Sequence, residues 1–484
     1  MDKGLEENYI ALLWEELIPA MGCTEPIALA YGAAIARRVL GCLPERTGVI
    51  VSGNIIKNVK SVIVPHTGGM RGIEAAVAAG LVAGAAEDGL EVLSNISKEQ
   101  VEDIRAYYES LELHNGNGSE DRAGKRPGIT VEQSLSERVF EIDLTVEAAG
   151  HTARVWITDH HTHVACVSRD GEVLYPAAGS SASGDVVCQE ILPGGNGETF
   201  GTAEQPGGNR DNDAGGTRRA QTGADRSLLT IERIVEFAET ADLEPVKDLL
   251  DRQIDYNTAI AREGLTGKYG AGIGRVLMLS YGDSVSNRAK AWAAAGSDAR
   301  MNGCELPVVI NSGSGNQGLT ASLPVIVYAR ELGVSQETLY RALLVSNLVT
   351  IHLKTGIGCL SAYCGATSAG CGAGAGVTYL YGGRFEEIAH TVVNAVAINS
   401  GVVCDGAKAS CAAKIASAVE AGLLGMQMYM HGRQFLGGDG IVTKGVEATI
   451  RNVSELAREG MRETDREILR IMLECSGGSN ACAD

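Results

Sequence analysis

Small residues dominate the helical parts of this chain and limit how its segments can pack. Of its 484 residues, 62 are glycine, whereas aromatic residues make up only 5%. A chain so poor in large flat side chains has little with which to fill the space between two facing sheets, but small residues let helices approach closely. We therefore expect a core of closely packed helices rather than a β-sandwich.

The hydrophobic pattern divides the chain into four segments. Residues 1–112 combine helical and β-branched runs and predict a smaller N-terminal α/β part. Residues 113–192 change to a period of two, which predicts an antiparallel β segment, and residues 193–226 have the polar, Gly-rich composition of a disordered insert or linker. Residues 227–484 have a helical pattern almost throughout. The predicted fold class is therefore α+β, with a mainly helical C-terminal domain.

Shorter patterns within these segments predict individual strands and helices. Residues 48–64 alternate and are β-branched, which predicts two short strands around Gly53 and Asn54. In the C-terminal segment, helices are predicted at about 228–240, 243–262, 284–301, 316–332, 336–353, 365–381, 385–398 and 409–428.

Charge and composition exclude several classes of partner. The net charge is −19, so nucleic acid and anionic membrane surfaces are unfavourable partners. The first residues are acidic and lack the apolar core of a signal peptide, and no apolar run approaches the roughly 18 residues of a membrane span. We therefore expect a cytoplasmic protein. The apolar, small-residue helices suggest a homodimer.

Three cysteines lie in segments with helix-start signals. Cys404 and Cys411 are seven residues apart, a spacing that places two side chains on one face of a helix. Because Gly401 and Gly406 bracket Cys404, we expect it at or just before a helix start, with Cys411 inside the helix. Cys364 opens another small-residue helix. Three thiols leave open the fourth position that a catalytic metal centre needs.

Two other interpretations of these cysteines remain open. Free cysteine packs as a small apolar side chain, so the three thiols could simply belong to the core. A structural zinc would require a closed set of four ligands, usually in Cys-x-x-Cys pairs, and such pairs are absent from the sequence. The twelve cysteines do not indicate a disulfide framework in a long chain of a reducing compartment.

Cys23 and two Gly-rich turns are further candidates for a site. Cys23 precedes a predicted helix that runs from Thr24 to about Leu40, and a thiol at a helix N-terminus is expected to have a lowered pKa. The turns are the loop that contains Thr67 and the segment 311–318, which follows a strand-like run. Their N–H and hydroxyl groups could hold a small carboxylate or phosphate. The Walker pattern is absent, which argues against ATP.

A histidine cluster, Asp159-His-His-Thr-His163, lies at a turn of the predicted β segment. Polar clusters at such turns are usually solvated, so we expect a solvated turn here. A metal site is the alternative interpretation.

Taken together, these segments resemble the L-cysteine desulfidase family, within the wider group of iron–sulfur L-serine dehydratase alpha-chain-like proteins. The matching segments occur in the order of the family. They are Met21-Gly-Cys-Thr-Glu-Pro26, Gly53-Asn-Ile-Ile-Lys-Asn58, Pro65-His-Thr-Gly68, Asn311-Ser-Gly-Ser-Gly-Asn-Gln317, Leu360-Ser-Ala-Tyr-Cys-Gly365, Cys404-Asp-Gly-Ala-Lys408 and Ser410-Cys411. The insert at 193–226 is extra to the family pattern.

The resemblance implies a [4Fe-4S] cluster with one iron open to the substrate, held by Cys364, Cys404 and Cys411. Cys359 and Cys371 are close to Cys364 in the sequence, so either could replace it as a ligand. Cys23 would lie over the open iron as a catalytic base, a removable fourth ligand or a sulfur acceptor. This arrangement requires the Cys23 turn to fold back onto the helical domain.

The family reaction converts L-cysteine to hydrogen sulfide, ammonia and pyruvate without pyridoxal phosphate, so the implied substrate is a small amino acid. β-Elimination needs a base for the Cα proton, for which the candidates are Cys23, Lys354 and Lys408. Residues expected to hold the substrate are Asn58, Thr67, Ser312, Ser314, Asn316 and Gln317. Two alternatives keep the cluster: an L-serine dehydratase and a non-catalytic iron–sulfur sensor.

Overall fold

The structure is a computed structural model that describes residues 2–113, 128–136, 138–176, 223–358 and 361–477. Residues 114–127 and 177–192 of the predicted β segment, most of the predicted insert at 193–226 and Cys359 lie outside these residues. Among the helices that are described, none is long and apolar enough to cross a membrane.

The fold is α+β, as predicted, with a mainly helical C-terminal part. The helices are α1 (Lys3–Glu16), α2 (Thr24–Leu40), α3 (Gly53–Val59), α4 (Ile73–Ala83), α5 (Lys98–Ser110), α6 (Ile231–Thr240), α7 (Lys247–Thr266), α8 (Ile273–Tyr281), α9 (Val285–Met301), α10 (Gly315–Leu332), α11 (Gln336–Ile357), α12 (Gly365–Leu380), α13 (Phe385–Asn399), α14 (Cys411–Met430), α15 (Val446–Glu455) and α16 (Arg462–Gly477). The strands are β1 (Pro19–Met21), β2 (Arg46–Val51), β3 (Glu112–Leu113), β4 (Gly128–Gln133), β5 (Glu141–Ala148), β6 (His151–Thr158), β7 (Val164–Arg169), β8 (Glu172–Tyr175) and β9 (Pro307–Val309).

Strands β2–β8 form one mixed sheet in the order β3-β4-β2-β5-β6-β7-β8. Strands β5 to β8 are the predicted antiparallel meander, and β2 pairs parallel to β4 and antiparallel to β5. Alternate residues of β5, Ile142, Leu144 and Val146, are fully buried, and helix α2 packs across β5 and β6. The predicted α/β part and the predicted β segment therefore share a sheet.

Residues 48–64 form one strand and one helix, so the prediction of two strands is wrong. Strand β2 ends at Val51, and the hydroxyl of the next residue, Ser52, donates a hydrogen bond to the carbonyl oxygen of Val139 at 2.9 Å. The chain then turns into α3, in which Ile55 and Val59 are fully buried. These two residues are four apart, a helical spacing that the alternating β-branched pattern concealed.

The eight helices predicted for the C-terminal part are confirmed as α6, α7 and α9 to α14. Helices α9 to α12 are buried on most sides, whereas α6 and α7 each bury one apolar face, and both patterns are easy to recognise. Helices α8, α15 and α16 were not predicted individually. Helices α8 and α16 are mostly exposed and α15 is a short amphipathic helix, so their apolar signals are weaker.

A second, two-stranded pairing joins the N-terminal part to the helical part. Strand β1 lies antiparallel to β9, with Pro19 opposite Val309 and Met21 opposite Pro307. The side chain of Asn257 on α7 holds β9 from the other side, because its Oδ1 accepts from the N–H of Val309 at 2.9 Å. This pairing folds the turn after β1 back onto the helical part.

Helices α12 and α14 touch through their backbones at a series of glycines. A Cβ atom at Gly422 would lie 2.1 Å from the carbonyl oxygen of Gly370, and one at Gly374 would lie 2.5 Å from that of Gly422. No real Cβ atom approaches an oxygen so closely, so the two helices can take this separation only with glycine at the contact.

We predict that Gly422→Ala lowers the free energy of unfolding by about 1–3 kcal/mol, because the added methyl group must push the two helices apart. The midpoint of urea denaturation measures this change. Gly401→Ala is the matched control, since nothing lies within 4 Å of the Cβ it would add. Equal midpoints for the two variants would contradict the prediction.

Candidate functional site

A cavity of about 320 Å³ lies where the N-terminal part meets the helical part. Its lining is drawn from segments far apart in the sequence. Predicted site residues that line it are Cys23, Asn58, Ser312, Ser314, Asn316, Gln317, Lys354, Cys364, Cys404 and Cys411. The sequence motifs that carry the predicted chemistry thus meet in one place.

The β1–β9 pairing places two of these motifs side by side. Cys23 follows β1 and is the N-cap residue of α2, whereas the turn from Asn311 to Ser314 follows β9. The hydroxyl of Thr24 donates to the carbonyl oxygen of Gly313 at 2.9 Å and ties the two turns together. The predicted return of Cys23 to the helical domain is therefore present.

The turn before α10 is held by reciprocal backbone hydrogen bonds. The N–H of Asn311 donates to the carbonyl oxygen of Ser314 and the N–H of Ser314 donates to that of Asn311, both at 3.1 Å. Ser312 and Gly313 take positive φ values of 50° and 76°, which close the turn. The amide of Asn311 anchors it to Asn347 on α11 at 3.0 Å. The turn is thereby fixed at the wall of the cavity.

Two of the candidate thiols are brought together by a short β-bridge between Tyr363 and Val403. The N–H of Cys364 donates to the carbonyl oxygen of Val402 at 3.0 Å, and that of Cys404 donates to the carbonyl oxygen of Ala362 at 2.6 Å. Cys364 is also the N-cap residue of α12, so its position is fixed by a helix start as well as by the bridge.

The third candidate, Cys411, is the first residue of α14 rather than a residue inside a helix that starts near Cys404. The prediction that Cys404 and Cys411 lie on one face of the same helix is therefore wrong. Gly406 has φ +95° and a Cβ there would lie 2.3 Å from the carbonyl oxygen of Lys57, so the chain leaves the helical conformation in order to pass α3. Both thiols nevertheless line the cavity.

Burial, rather than the helix N-terminus, controls the acidity of these thiols. Burial raises the pKa of Cys23 to about 12, although the positive charge of Arg300 opposes the shift. Burial also raises the pKa values of Cys364 and Cys411. The expected fall in the pKa of Cys23 is therefore wrong, because removing a thiolate from water costs more than the N-terminal peptide dipoles return.

The candidate thiols are not arranged around a single metal ion. Within the part of the chain that the structure describes, no three His, Cys, Asp or Glu side chains stand close enough together to hold one metal ion. The charges of Cys364, Cys404 and Cys411 still influence one another. A single zinc needs every sulfur within about 2.3 Å of one point, whereas a four-iron cluster takes each thiolate at a different iron.

Not every predicted residue reaches the cavity. The hydroxyl of Thr67 donates to the carbonyl oxygen of Val64 at 2.7 Å and the side chain is fully buried elsewhere. The ammonium of Lys408 pairs with Asp405 and does not line the cavity. Cys371 is buried inside α12, two turns beyond Cys364, and is likewise not part of the lining.

The histidine turn lies against the cavity and is not simply solvated, so that expectation is wrong. His161 packs edge-to-face on Phe140 with ring centroids 4.8 Å apart, and it lines the cavity with Asp159 and His160. Its Nε2 is buried and has no partner in the described chain. Burial lowers the pKa of His161, so the ring is neutral at neutral pH.

Charged and polar side chains that the sequence interpretation did not assign complete the site. Glu25 accepts a hydrogen bond from the amide of Asn58 at 2.9 Å, and its other carboxylate oxygen lies 3.1 Å from the hydroxyl oxygen of Thr24. Lys57 is buried at the cavity and pairs with Asp465 on α16. Arg300, in the last turn of α9, is only 4% exposed.

Comparisons with known proteins bear on this site. A family model described as "Serine dehydratase alpha chain" matches residues 87–470. A UPF0597 protein of Desulfitobacterium hafniense is 51% identical over 97% of both chains. UPF0597 proteins of Lachnoclostridium phytofermentans and Finegoldia magna are 44% and 43% identical, over 96% and 97% of this chain and 99% and 100% of theirs. Because the family model spans most of the chain, this protein belongs to the serine dehydratase alpha chain family, whose members are lyases that generally depend on an iron–sulfur cluster.

Proposed function

We propose that this protein is a [4Fe-4S]-dependent lyase that converts L-cysteine to hydrogen sulfide, ammonia and pyruvate by β-elimination. The observation that carries the proposal is the meeting of Cys23, Cys364, Cys404 and Cys411 with the turn at 312–317 around one cavity. These residues belong to the motifs by which the sequence resembles the L-cysteine desulfidases.

Cys364, Cys404 and Cys411 would hold the cluster, and Cys23 lies on the same cavity. A bound cluster with one open iron would supply a Lewis acid for the departing sulfur. The raised pKa values of Cys364 and Cys411 mean that these thiols keep their protons until metal displaces them. Loading is therefore expected to release protons.

Amide oxygens of α10 suit the ammonium group of an amino acid. Asn316 Oδ1 and Gln317 Oε1 are both buried and have no hydrogen-bond donor among the described residues. A buried acceptor without a donor is unfavourable, so each favours a ligand that donates. Gly365 leaves room for Gln317, because a Cβ there would lie 2.7 Å from Gln317 Cδ.

Protonation and position narrow the choice among the candidate bases for the Cα proton. Cys23 cannot accept a proton at neutral pH because burial keeps its thiol protonated, and Lys408 pairs with Asp405 away from the cavity. Lys354 and His161 both line the cavity. We favour His161, since a neutral imidazole with a free Nε2 can accept a proton at neutral pH.

The elimination balances with these groups. His161 Nε2 takes the Cα proton, the electron pair of that bond forms the Cα–Cβ double bond, and the Cβ–S bond breaks. The sulfur leaves as sulfide and takes up a proton, and the remaining aminoacrylate hydrolyses in water to pyruvate and ammonia.

A second candidate is L-serine dehydratase. It is favoured by the family model, which carries that description over residues 87–470. The same side chains would remove the Cα proton of L-serine, with hydroxide in place of sulfide as the leaving group.

Anaerobic reconstitution with iron and sulfide, followed by removal of excess sulfide, decides between these substrates. We expect equimolar sulfide and pyruvate from L-cysteine, at a higher kcat/KM than that for pyruvate formation from L-serine. Pyruvate from L-serine alone would instead identify a dehydratase. A cluster without either activity would favour the iron–sulfur sensor.

The ligand assignment predicts that alanine variants of Cys364 and Cys371, at the start of α12 and within it, differ in iron content. Cys364→Ala removes a thiol of the cavity and should lose most of the bound iron and acid-labile sulfide. Cys371→Ala removes a thiol that is buried in α12 away from the cavity, and it should keep the iron content of the wild type. Loss of iron in Cys371→Ala alone would assign the ligand to Cys371.

The base assignment predicts that His161→Gln lowers kcat by roughly 10²- to 10⁴-fold while iron content is unchanged. His160→Gln is the control, because His160 also lines the cavity. Burial lowers the pKa of His161, and the positive charges of His160 and Arg300 act in the same direction against the opposing charge of Glu25. In the wild type, kcat/KM should therefore rise with pH through a pKa below 6.5 and level off near neutrality. If only Lys354→Met abolishes turnover, Lys354 is the base.

A further inference from the structure

We propose that Arg300 binds the α-carboxylate of the substrate and restricts the site to amino acids in which that carboxylate is free. The inference rests on the proposed function, because it names the group that recognises the substrate of that same cavity. Neither the sequence pattern nor the family description assigns a role to Arg300.

Arg300 is a buried cation that makes no ion pair within the described chain. Its side chain lines the cavity, and its Nε is buried and makes no hydrogen bond there. Two other buried side chains differ from it in this respect: Lys57 pairs with Asp465, and Glu141 accepts from the indole of Trp156 at 3.2 Å. A buried charge without a partner is strongly unfavourable, so a guanidinium in this position favours an anionic ligand.

The start of α10 points to the same kind of ligand. Helix α10 begins at Gly315, and Ser314 at its N-cap makes no side-chain hydrogen bond to the first N–H groups. The N-terminus of a long helix favours negative charge. A Cβ at residue 315 would lie only 2.3 Å from Arg300 Nε, so glycine here lets the guanidinium and the helix N-terminus approach each other.

The positive and the negative sides of the cavity match the two charged groups of an amino acid. Arg300 and the start of α10 suit a carboxylate, and planar guanidinium groups bind carboxylates through two parallel hydrogen bonds. The unpartnered oxygens of Asn316 and Gln317 lie in the first turn of the same helix and suit the ammonium group. An amide or an ester of the amino acid would leave the guanidinium without its anion.

The test uses L-alanine, which has both charged groups but no leaving group, and L-alaninamide, which lacks the carboxylate. Binding is measured by calorimetry on the metal-free and on the reconstituted protein, so the result does not depend on turnover. We expect the wild type to bind L-alanine but not L-alaninamide. Arg300→Gln should weaken L-alanine binding by roughly 10- to 100-fold, with partial recovery in Arg300→Lys.

Two controls separate recognition from folding and from cluster loading. Arg262→Gln removes an exposed arginine of α7 and should leave L-alanine binding unchanged. Arg300→Gln should also raise the denaturation midpoint of the ligand-free protein, because it removes a buried charge that makes no ion pair. A wild type that takes up no iron on reconstitution would contradict the proposed function. If Arg300→Gln still weakened L-alanine binding in that case, the role of Arg300 in carboxylate binding would be supported.

Three results would overturn the inference. One is unchanged L-alanine binding in Arg300→Gln. Another is a wild type that binds L-alanine in neither its metal-free nor its reconstituted form. The third is an Arg300→Gln variant that loses iron but keeps L-alanine binding, which would show that the guanidinium serves the cluster instead.

Discussion

The candidate site depends on a pairing of only three residues on each side, between Pro19–Met21 and Pro307–Val309. This contact carries Cys23 at one end and leads into the Asn311–Ser314 turn at the other. Without it, the N-terminal part would remain attached to its own sheet, and the thiols of α12 and α14 would face an incomplete cavity. Asn257 reinforces the pairing from α7, since its amide spans Val309 and the hydroxyl of Ser322.

The thiols illustrate a competition between two physical effects at a helix start. The N-terminal peptide dipoles favour a thiolate, whereas a dry cavity favours the neutral thiol. At Cys23 the second effect dominates, even with the guanidinium of Arg300 nearby. The metal-free site therefore holds neutral thiols, and in the function that we propose protons and iron would compete for the same sulfur atoms.

Much of the fold can be predicted from local sequence pattern, because the spacing of apolar residues along the sequence differs between helices and strands. The exception is α3, where Ile55 and Val59 satisfy both periods and only the packing against the core decides. The thiols and the 311–317 turn could be found because they lie in recognisable motifs. The disordered insert at 193–226 and the possible ligand role of Cys359 stay predictions, because these residues lie largely outside the described part of the chain.

The remaining site residues have no such local signal. Arg300 is a single arginine in the last turn of an Ala-rich helix, and its significance is that its buried Nε makes no hydrogen bond within the described chain, which only the tertiary structure shows. His161 lies in a polar turn whose sequence predicts solvent exposure, but in the structure its ring packs against Phe140 and lies close to Gly313. Lys354 and Lys408 look equivalent in sequence, but an ion pair with Asp405 keeps only the second away from the cavity.

The glycine contact between α12 and α14 has a consequence for the candidate site. Cys364 and Cys411 each stand at the start of one of these two helices, so the distance between the sulfurs is set by a backbone contact along the helix pair. A larger residue at Gly370 or Gly422 would increase the distance between the two helix axes and thereby move the sulfurs apart. In the site that we propose, the affinity for the cluster would therefore depend on glycines that never touch the cluster.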